Sequence, residues 1–348
     1  MKLSVLDQSP VPAGSTPGEA LRNTMDLARR ADALGFARYW IAEHHAIETL
    51  ASPAPEILIP LVAAETSRIR VGSGGVLLPH YSTLKVAEVF RMLHALYPGR
   101  IDLGLGRAPG SGGLEAFALQ RDRSKRLQAD DFTEQLTELL AFLHRDFPPE
   151  HPFSRIKISP DMPGAPDVWL LGSSAWSAAV AARYGLPYAF AHFIGPEQTV
   201  AALEHYRSHF TPSKFLDEPR AILTLGAVCA DTLAEAERLA ASTKLLIRRI
   251  RLGGPRRPVP TPEEAMAELE TLGEDADPLT WDASEWPRYI VGDATKVRTA
   301  LDSMARELQI EELMILTVIH DHRARVHSYE LLAESFGLAK HMEGRARS

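Results

Sequence analysis

The sequence has few of the features that mark secreted, membrane or nucleic-acid-binding proteins. Its 348 residues include one cysteine, Cys229, which excludes an internal disulfide and a thiolate metal cluster. No run of about 18 apolar residues occurs, so no transmembrane helix is expected. The amino terminus enters a strand-like pattern directly, without a signal peptide, and cytoplasmic residence is the default expectation. Basic residues form no stripe and the net charge is -7, so neither nucleic acid nor an anionic membrane is an expected partner.

Short apolar segments alternate with amphipathic helical patterns along the chain. Strands are predicted at residues 2–6, 37–42, 70–79, 100–106, 167–171, 188–193, 221–230 and 313–319. Short turns and intervening helices predict parallel strands, and this pattern favours a (β/α)8 barrel formed by a single domain over residues 1–348. A doubly wound sheet is the alternative, but the G-x-G-x-x-G motif typical of such sheets is missing near the start.

The interval 253–293, between the seventh and eighth predicted strands, does not fit a single βα unit. It is rich in proline, aspartate and tryptophan. An insertion of this length indicates a lid-like segment, in which Trp281 and Trp286 could cover an aromatic ligand. A solvent-exposed excursion without function is an equal alternative.

The segment 70–79, RVGSGGVLLP, has three glycines within four residues of a predicted strand. Glycine weakens a strand interior, so this pattern indicates a β-bulge or a place where a flat ligand lies against the backbone. A plain loop between two short strands is the alternative.

The active site of a (β/α)8 barrel lies at the carboxyl ends of its strands. The candidate site residues at these ends are His44, together with Tyr81, His192 and Phe193 as candidates for contact with a substrate or a lid. Histidine can act as an acid, a base or a hydrogen-bond donor near neutral pH. A metal site formed by His44, His80 and His192 is a less favoured alternative, because no carboxylate accompanies these histidines at a suitable spacing.

A second group of candidates suits an anion. Ser173, Ser174 and Ser177 lie at the start of a predicted helix, where hydroxyl groups, free N–H groups and the helix dipole all favour a phosphate. Arg107, after the fourth predicted strand, and Arg126 could add positive charge. Simple capping of the helix by a serine is the alternative.

Four segments resemble motifs of the bacterial luciferase-like family of flavin-dependent monooxygenases, and they occur along this chain in the order in which that family has them. They are WIAEHH (40–45), VGSGGVLLP (71–79), YPGRIDLGLGRAPG (97–110) and LLGSSAWSA (170–178). The resemblance covers nearly the whole chain and is weakest over residues 253–293. Within the family, the third segment is most similar to the single-chain luciferase-like oxidoreductases.

The resemblance implies a (β/α)8 barrel with an insertion after the seventh strand. It also implies a two-component monooxygenase, in which a separate NAD(P)H:flavin reductase supplies reduced FMN. Such an enzyme uses O2 to oxygenate a small organic substrate, and some relatives act on natural-product intermediates such as polyketides. A homodimer formed through the helices after the early strands is a further implication.

The resemblance also assigns roles to residues. His44 matches a histidine that assists the chemistry beside the flavin, and Arg107 matches the arginine that binds the flavin phosphate. Ser174 and Ser177 match hydroxyl groups at the helix that binds the phosphate. Gly74 and Gly75 match a pair that relatives join by a non-proline cis peptide bond beneath the isoalloxazine ring.

Two positions depart from the family pattern. Gly106 stands where luciferase itself has a reactive cysteine next to the flavin, so light emission is not implied. Ser173 replaces an acidic neighbour of the phosphate, which makes this end of the site less negative.

Two other functions remain open at this point. One is an F420-dependent oxidoreductase on the same barrel, for which a basic groove could be supplied by Arg248, Arg249, Arg251, Arg256 and Arg257. The other is a flavin-binding protein without turnover.

Overall fold

The computed structural model describes residues 1–108, 113–122, 131–273 and 286–338. Its strands are β1 (Lys2–Asp7), β2 (Arg38–Ile41), β3 (Arg70–Leu77), β4 (Ile101–Gly106), β5 (Asp167–Gly172), β6 (Tyr188–Ala191), β7 (Ala221–Ala230), β8 (Tyr289–Asp293) and β9 (Glu312–Leu316). Its α-helices are α1 (Pro17–Leu34), α2 (Pro55–Glu65), α3 (Thr83–Leu96), α4 (Gly113–Leu119), α5 (Phe132–His144), α6 (Ala175–Tyr184), α7 (Thr199–Ser208), α8 (Leu233–Arg251), α9 (Pro262–Leu272), α10 (Ala294–Glu307) and α11 (His322–Phe336). Short 3-10 turns occupy Leu78–His80, Pro152–Arg155 and Pro196–Gln198.

Eight of these strands close into a parallel barrel. The ring runs from β1 through β7, continues to β9 and returns to β1, and its closing contacts are the pairs β7–β9 and β1–β9. Helices alternate with the strands along the chain. The predicted (β/α)8 barrel is therefore confirmed.

The remaining strand, β8, lies outside the ring. Residues 222–226 of β7 pair with β9, whereas residues 226–230 pair with β8. The first part of β7 thus pairs with β9 inside the ring, and its carboxyl-terminal part pairs with β8 outside the ring. This arrangement agrees with an insertion between the seventh and eighth strands of the ring.

Three elements, α9, β8 and α10, were not predicted from the sequence. The start of α9 carries a readable local signal, because Thr261 and Glu264 form a capping box. The Glu264 N–H donates to Thr261 Oγ1 at 3.2 Å, and the Thr261 N–H donates to Glu264 Oε2 at 3.0 Å. The last helix, α11, begins at His322, where Asp321 caps it by accepting the Ala324 N–H at 2.8 Å.

The amino-terminal end of the barrel interior is filled by charged and aromatic side chains. Arg38 donates to Asp102 at 2.6 Å and to Glu312 at 2.8 Å, and these three residues are buried. Above them Trp40 donates to Asp102 at 2.9 Å and packs edge-on against Trp169, with ring centroids 5.5 Å apart. Because these side chains fill this end of the interior, we expect the ligand site at the carboxyl-terminal mouth, as in other barrels of this kind.

Candidate active site

The glycine-rich segment forms the expected irregularity in β3. Ser73 lies opposite Leu103 of β4, and Val76 lies opposite Leu105, so three steps on β3 match two on β4. The predicted β-bulge is therefore confirmed. The peptide bond between Gly74 and Gly75, within the bulge, is cis.

Close packing explains why glycine occupies these two positions. A Cβ atom on Gly74 would lie 2.6 Å from Leu6 Cδ1 and 3.0 Å from Trp40 Cβ. A Cβ atom on Gly75 would lie 2.8 Å from the carbonyl oxygen of Gly104 in β4. A side chain at Gly75 would thus collide with backbone, which cannot move aside as a flexible side chain can.

The carboxylate of Glu43, after β2, connects several elements at the mouth. It accepts hydrogen bonds from the Leu77 N–H at 3.0 Å, the Tyr81 hydroxyl at 2.8 Å and His45 Nε2 at 2.6 Å. Burial and this carboxylate raise the pKa of Tyr81. Tyr81, a predicted substrate contact, therefore has its hydroxyl directed to Glu43, a residue that the sequence analysis did not select.

Of the two adjacent histidines, His44 lines the cavity at the mouth. Its backbone N–H donates to the Ser52 carbonyl at 3.0 Å, whereas its buried Nδ1 has no hydrogen-bond partner among the residues that the structure describes. Burial, together with the positive charge of Arg256 and the neighbouring His45, lowers the pKa of His44 to about 4. The imidazole is therefore neutral at neutral pH.

The predicted phosphate cradle brings together residues that follow β4 and β5. Arg107, directly after Gly106, places its guanidinium 3.9 Å from the centroid of the Trp176 ring in the first turn of α6. Ser174 is the residue that caps α6, and Ser173 precedes it. Positive charge, hydroxyl groups and a helix amino terminus are thus neighbours, as an anion site requires.

Ser177 occupies a different kind of position from its predicted role. It is buried, its hydroxyl donates to the Ser174 carbonyl at 2.7 Å, and the Tyr188 hydroxyl lies 2.9 Å away. A Cβ atom on Gly172 would lie 2.2 Å from Ser177 Oγ, so the hydroxyl packs tightly against the end of β5. The Ser177 hydroxyl therefore forms its hydrogen bonds within the protein, where it contacts the backbone of Ser174.

The carboxyl end of β6 holds the end of the insertion. His192 is fully buried, with Nδ1 2.7 Å from Thr199 Oγ1 and Nε2 3.1 Å from the Pro287 carbonyl. Since a carbonyl only accepts, Nε2 carries the proton and Nδ1 accepts from Thr199. Arg288 donates to the Phe193 carbonyl at 2.9 Å. His192, a predicted substrate contact, thus has both ring nitrogens bound to the protein.

A cavity of about 520 Å³ opens beside His44. It lies between the ends of β1 and β9 on one side and α8 on the other. Its apolar walls include Leu50, Phe193, Leu246, Ile247, Leu316 and Val318. This size and lining suit a small organic ligand.

Other predicted site residues lie elsewhere or outside the described ranges. Trp286 is half-buried and packs against the main core, whereas Arg126 and Trp281 fall outside the described residues. His80 packs edge-on against His45, with ring centroids 5.8 Å apart. Within the described ranges no three metal-binding side chains form a group, and no helix is long and apolar enough to span a membrane.

Comparison with known proteins identifies the family. The sequence model described as luciferase-like monooxygenase matches residues 1–311. The chain belongs to the luciferase-like monooxygenase family. It is 40% identical to a luciferase-like monooxygenase of Escherichia coli K12, over 94% of this chain and 95% of that protein. It is 36% identical to N-acetyl-S-alkylcysteine monooxygenase of Bacillus subtilis strain 168, over 98% of this chain and 99% of that protein.

Solved structures of the luciferase-like fold match nearly the full length of the chain. The crystal structure of apo-MsnO8 is 49% identical, with a TM-score of 0.87 and coverage of 97% of this chain and 98% of that one. Two more distant structures share the fold alone. One is the oxygenating component of 3,6-diketocamphane monooxygenase from Pseudomonas putida in complex with FMN, at 20% identity, TM-score 0.71 and coverage of 96% and 98%. The other is an F420-dependent secondary alcohol dehydrogenase, at 13% identity, TM-score 0.68 and the same coverage.

Proposed function

We propose that this luciferase-like monooxygenase uses reduced FMN and O2 to oxygenate a small organic substrate. The observation that carries the proposal is the mouth of the barrel. There a neutral His44 lines a cavity with apolar walls, and Arg107 lies beside the amino terminus of α6, which supports an anion site at that position.

The residues at the mouth fit FMN. Arg107, Ser173 and Ser174 would hold the phosphate, through a charge-assisted hydrogen bond and the favourable end of the α6 dipole. Gly74 and Gly106 are both partly exposed and have no side chain, so a flat ring could approach the backbone closely there. Reduced FMN supplies the electrons that activate O2 for transfer of one oxygen atom to the substrate.

His44 would assist this chemistry as a base or a hydrogen-bond partner. A neutral imidazole has one nitrogen that accepts and one that donates, and the pKa of about 4 keeps it neutral at neutral pH. Apolar walls beside it would exclude water from the reacting centre.

The electrons would come from a separate NAD(P)H:flavin reductase. The chain has no G-x-G-x-x-G motif that follows a strand and opens a helix, so it lacks the usual sequence signature of a nicotinamide-binding fold.

The experiment is an oxygenation assay with FMN, NADH and an added flavin reductase. S-alkylated N-acetyl amino acids are the first substrates to test, given the name of the Bacillus relative, and aromatic polyketides are the second.

We expect His44→Gln to retain reduced FMN but to form product about 10²–10⁴-fold more slowly, as for the loss of a general acid or base. The control is His209→Gln, an exposed histidine beyond α7. Product formation by His44→Gln at the wild-type rate would reduce His44 to a packing role, and rapid NADH oxidation without the reductase would contradict the two-component proposal.

We also propose a homodimer, because α2 is apolar on two faces. Leu58, Ile59 and Val62 of α2 are buried against the barrel, whereas Ile57 and Leu61 are more than half exposed. Met92 and Leu96 of the adjacent α3 are exposed to a similar extent. An exposed apolar patch of this kind is typical of a protein interface.

F420 is the second candidate cofactor, and the family resemblance leaves it open. The arginine cluster that could hold its acidic tail is partly used within the protein. Arg249 forms a two-bond ion pair with Glu268, and Arg248 donates to the Leu272 carbonyl. Titration of the purified protein with reduced FMN and with F420 would distinguish the two. A flavin-binding protein without turnover would bind reduced FMN but fail the oxygenation assay with every substrate.

A further inference from the structure

The charged side chains that line the cavity beside His44 are all of the same sign. The cavity's charged lining residues among the described part of the chain are all arginines, namely Arg249, Arg251, Arg256 and Arg288, and none is acidic. The whole chain carries a net charge of -7. The cavity is therefore positive in a protein that is negative as a whole, which favours an anionic ligand.

Arg256 differs from the other arginines of the cavity in its contacts. Arg249 pairs with Glu268 at 2.6 Å and 2.9 Å, and Arg288 donates to the Phe193 carbonyl at 2.9 Å. Arg256 forms no hydrogen bond or ion pair with any residue in the ranges that the structure describes. Its positive charge at the cavity is therefore available to a ligand.

The backbone around Arg256 is held in place. The Arg257 carbonyl accepts from Thr49 Oγ1 at 3.0 Å, and the Val259 N–H donates to the Val11 carbonyl at 2.8 Å. These bonds tie the segment to the loops that follow β1 and β2. A cation on a fixed segment loses less conformational entropy when it binds a ligand.

Arg256 and His44 lie at the same part of the cavity. The charge of Arg256 is close enough to contribute, after burial, to the lowered pKa of His44. Leu246, Leu316 and Val318 also line this cavity and give it apolar walls. The cavity thus offers both positive charge and apolar surface to a ligand.

We propose that the substrate is an amphiphilic organic carboxylate, whose carboxylate pairs with Arg256 and whose apolar body fills the cavity beside His44. This inference rests on the proposed oxygenase function, since it names the substrate class of the same site. Guanidinium groups bind carboxylates through charge-assisted hydrogen bonds, and the apolar walls favour an alkyl or aryl chain.

The test measures binding to the flavin-free protein by isothermal titration calorimetry, with octanoate and 1-octanol as probes. The two have equal chains and differ in charge. We expect the wild type to bind octanoate about tenfold more tightly than 1-octanol, as for a single charge-assisted contact. Arg256→Gln should remove this preference by weakening octanoate about tenfold while leaving 1-octanol unchanged.

The matched control is Arg257→Gln, which removes an adjacent, exposed arginine that does not line the cavity. It should retain the wild-type preference for octanoate. Raising the ionic strength should weaken octanoate but not 1-octanol, because salt screens only the charged contact.

Equal binding of the two probes, no detectable octanoate binding, or an Arg256→Gln variant with unchanged octanoate affinity would each overturn the inference. Displacement of octanoate by F420, in an Arg256-dependent manner, would assign these arginines to a cofactor and overturn it as well. The oxygenation assay with reduced FMN is independent of this measurement. Lost oxygenation with an intact carboxylate preference would count against the proposed function alone, and the reverse result against this inference alone.

Discussion

The buried His192 predicts a specific dependence of stability on pH. We consider the substitution His192→Gln, because the glutamine amide can donate to the Pro287 carbonyl and accept from the Thr199 hydroxyl, as the imidazole does. Glutamine has no ionisable group, so the substitution removes a titration while it keeps both hydrogen-bonding partners. The variant thereby separates the proton linkage of His192 from its role in holding the insertion.

The magnitude follows from the difference between the folded and the unfolded pKa of His192. Burial lowers the folded value from 6.5 to about 4, although the hydrogen bond to the Pro287 carbonyl acts in the opposite direction. Between these values the unfolded chain binds a proton that the folded protein does not, so the free energy of unfolding decreases as the pH falls. At about 1.4 kcal/mol per pKa unit, lowering the pH from 7 to 5 should cost the wild type about 2 kcal/mol through this residue.

The assay is urea unfolding, followed by tryptophan fluorescence, of both proteins at pH 7 and pH 5. The wild type should lose about 2 kcal/mol more than His192→Gln between the two pH values, whatever the variant's stability at pH 7. His44, whose pKa is also lowered to about 4, contributes equally to both proteins and cancels in the difference. Equal losses in the two proteins would refute the reasoning and would mean that His192 is protonated in the folded state near its ordinary pKa.

Three further predictions concern the flavin site, the bulge and the dimer. Arg107→Ala should weaken the binding of reduced FMN by roughly 1.5–3 kcal/mol in a fluorescence titration, whereas Arg183→Ala, at the opposite end of α6, should not; equal affinities would remove Arg107 from the phosphate site. Gly75→Ala should lower the melting temperature far more than Gly106→Ala, because its Cβ atom meets backbone at 2.8 Å, whereas that of Gly106 meets a leucine methyl group at 3.2 Å; similar melting temperatures would contradict this account of β3. Leu61→Glu should convert the proposed dimer to a folded monomer in sedimentation velocity, and an unchanged dimer would exclude α2 from the interface.

The features that were predictable from sequence are those with local patterns. The β3 bulge follows from the run of glycines at 72, 74 and 75, because a strand interior loses packing and gains backbone freedom at glycine. The barrel follows from the repetition of strand and helix patterns. The proximity of Arg107 to the start of α6 follows from the rule that parallel strand ends share one face of the barrel.

The features that were missed depend on contacts between distant parts of the chain. Glu43 stands within a recognised motif, but its hydrogen-bonding partners Leu77 and Tyr81 lie 34 and 38 residues later and are brought close by the pairing of β2 with β3. The direction of the Ser177 hydroxyl depends in the same way on Tyr188 of the neighbouring β6. The strand β8 lies at the end of an insertion that does not follow the repeat of strand and helix, and its place is set by the far end of β7.

The proposed flavin and substrate sites place their two positive groups at different strand ends of the mouth. Arg107 follows β4, whereas Arg256 lies beside His44, on a segment that is hydrogen-bonded to the loops after β1 and β2. A phosphate and a substrate carboxylate could therefore bind together with little mutual repulsion, since Coulomb energy falls with distance and solvent screens the mouth. A carboxylate on Arg256 would also neutralise one of the charges that lower the pKa of His44, so His44 would become more basic when substrate binds. Burial is the larger cause and would persist, so the imidazole would remain neutral at neutral pH and able to accept a proton in the loaded site.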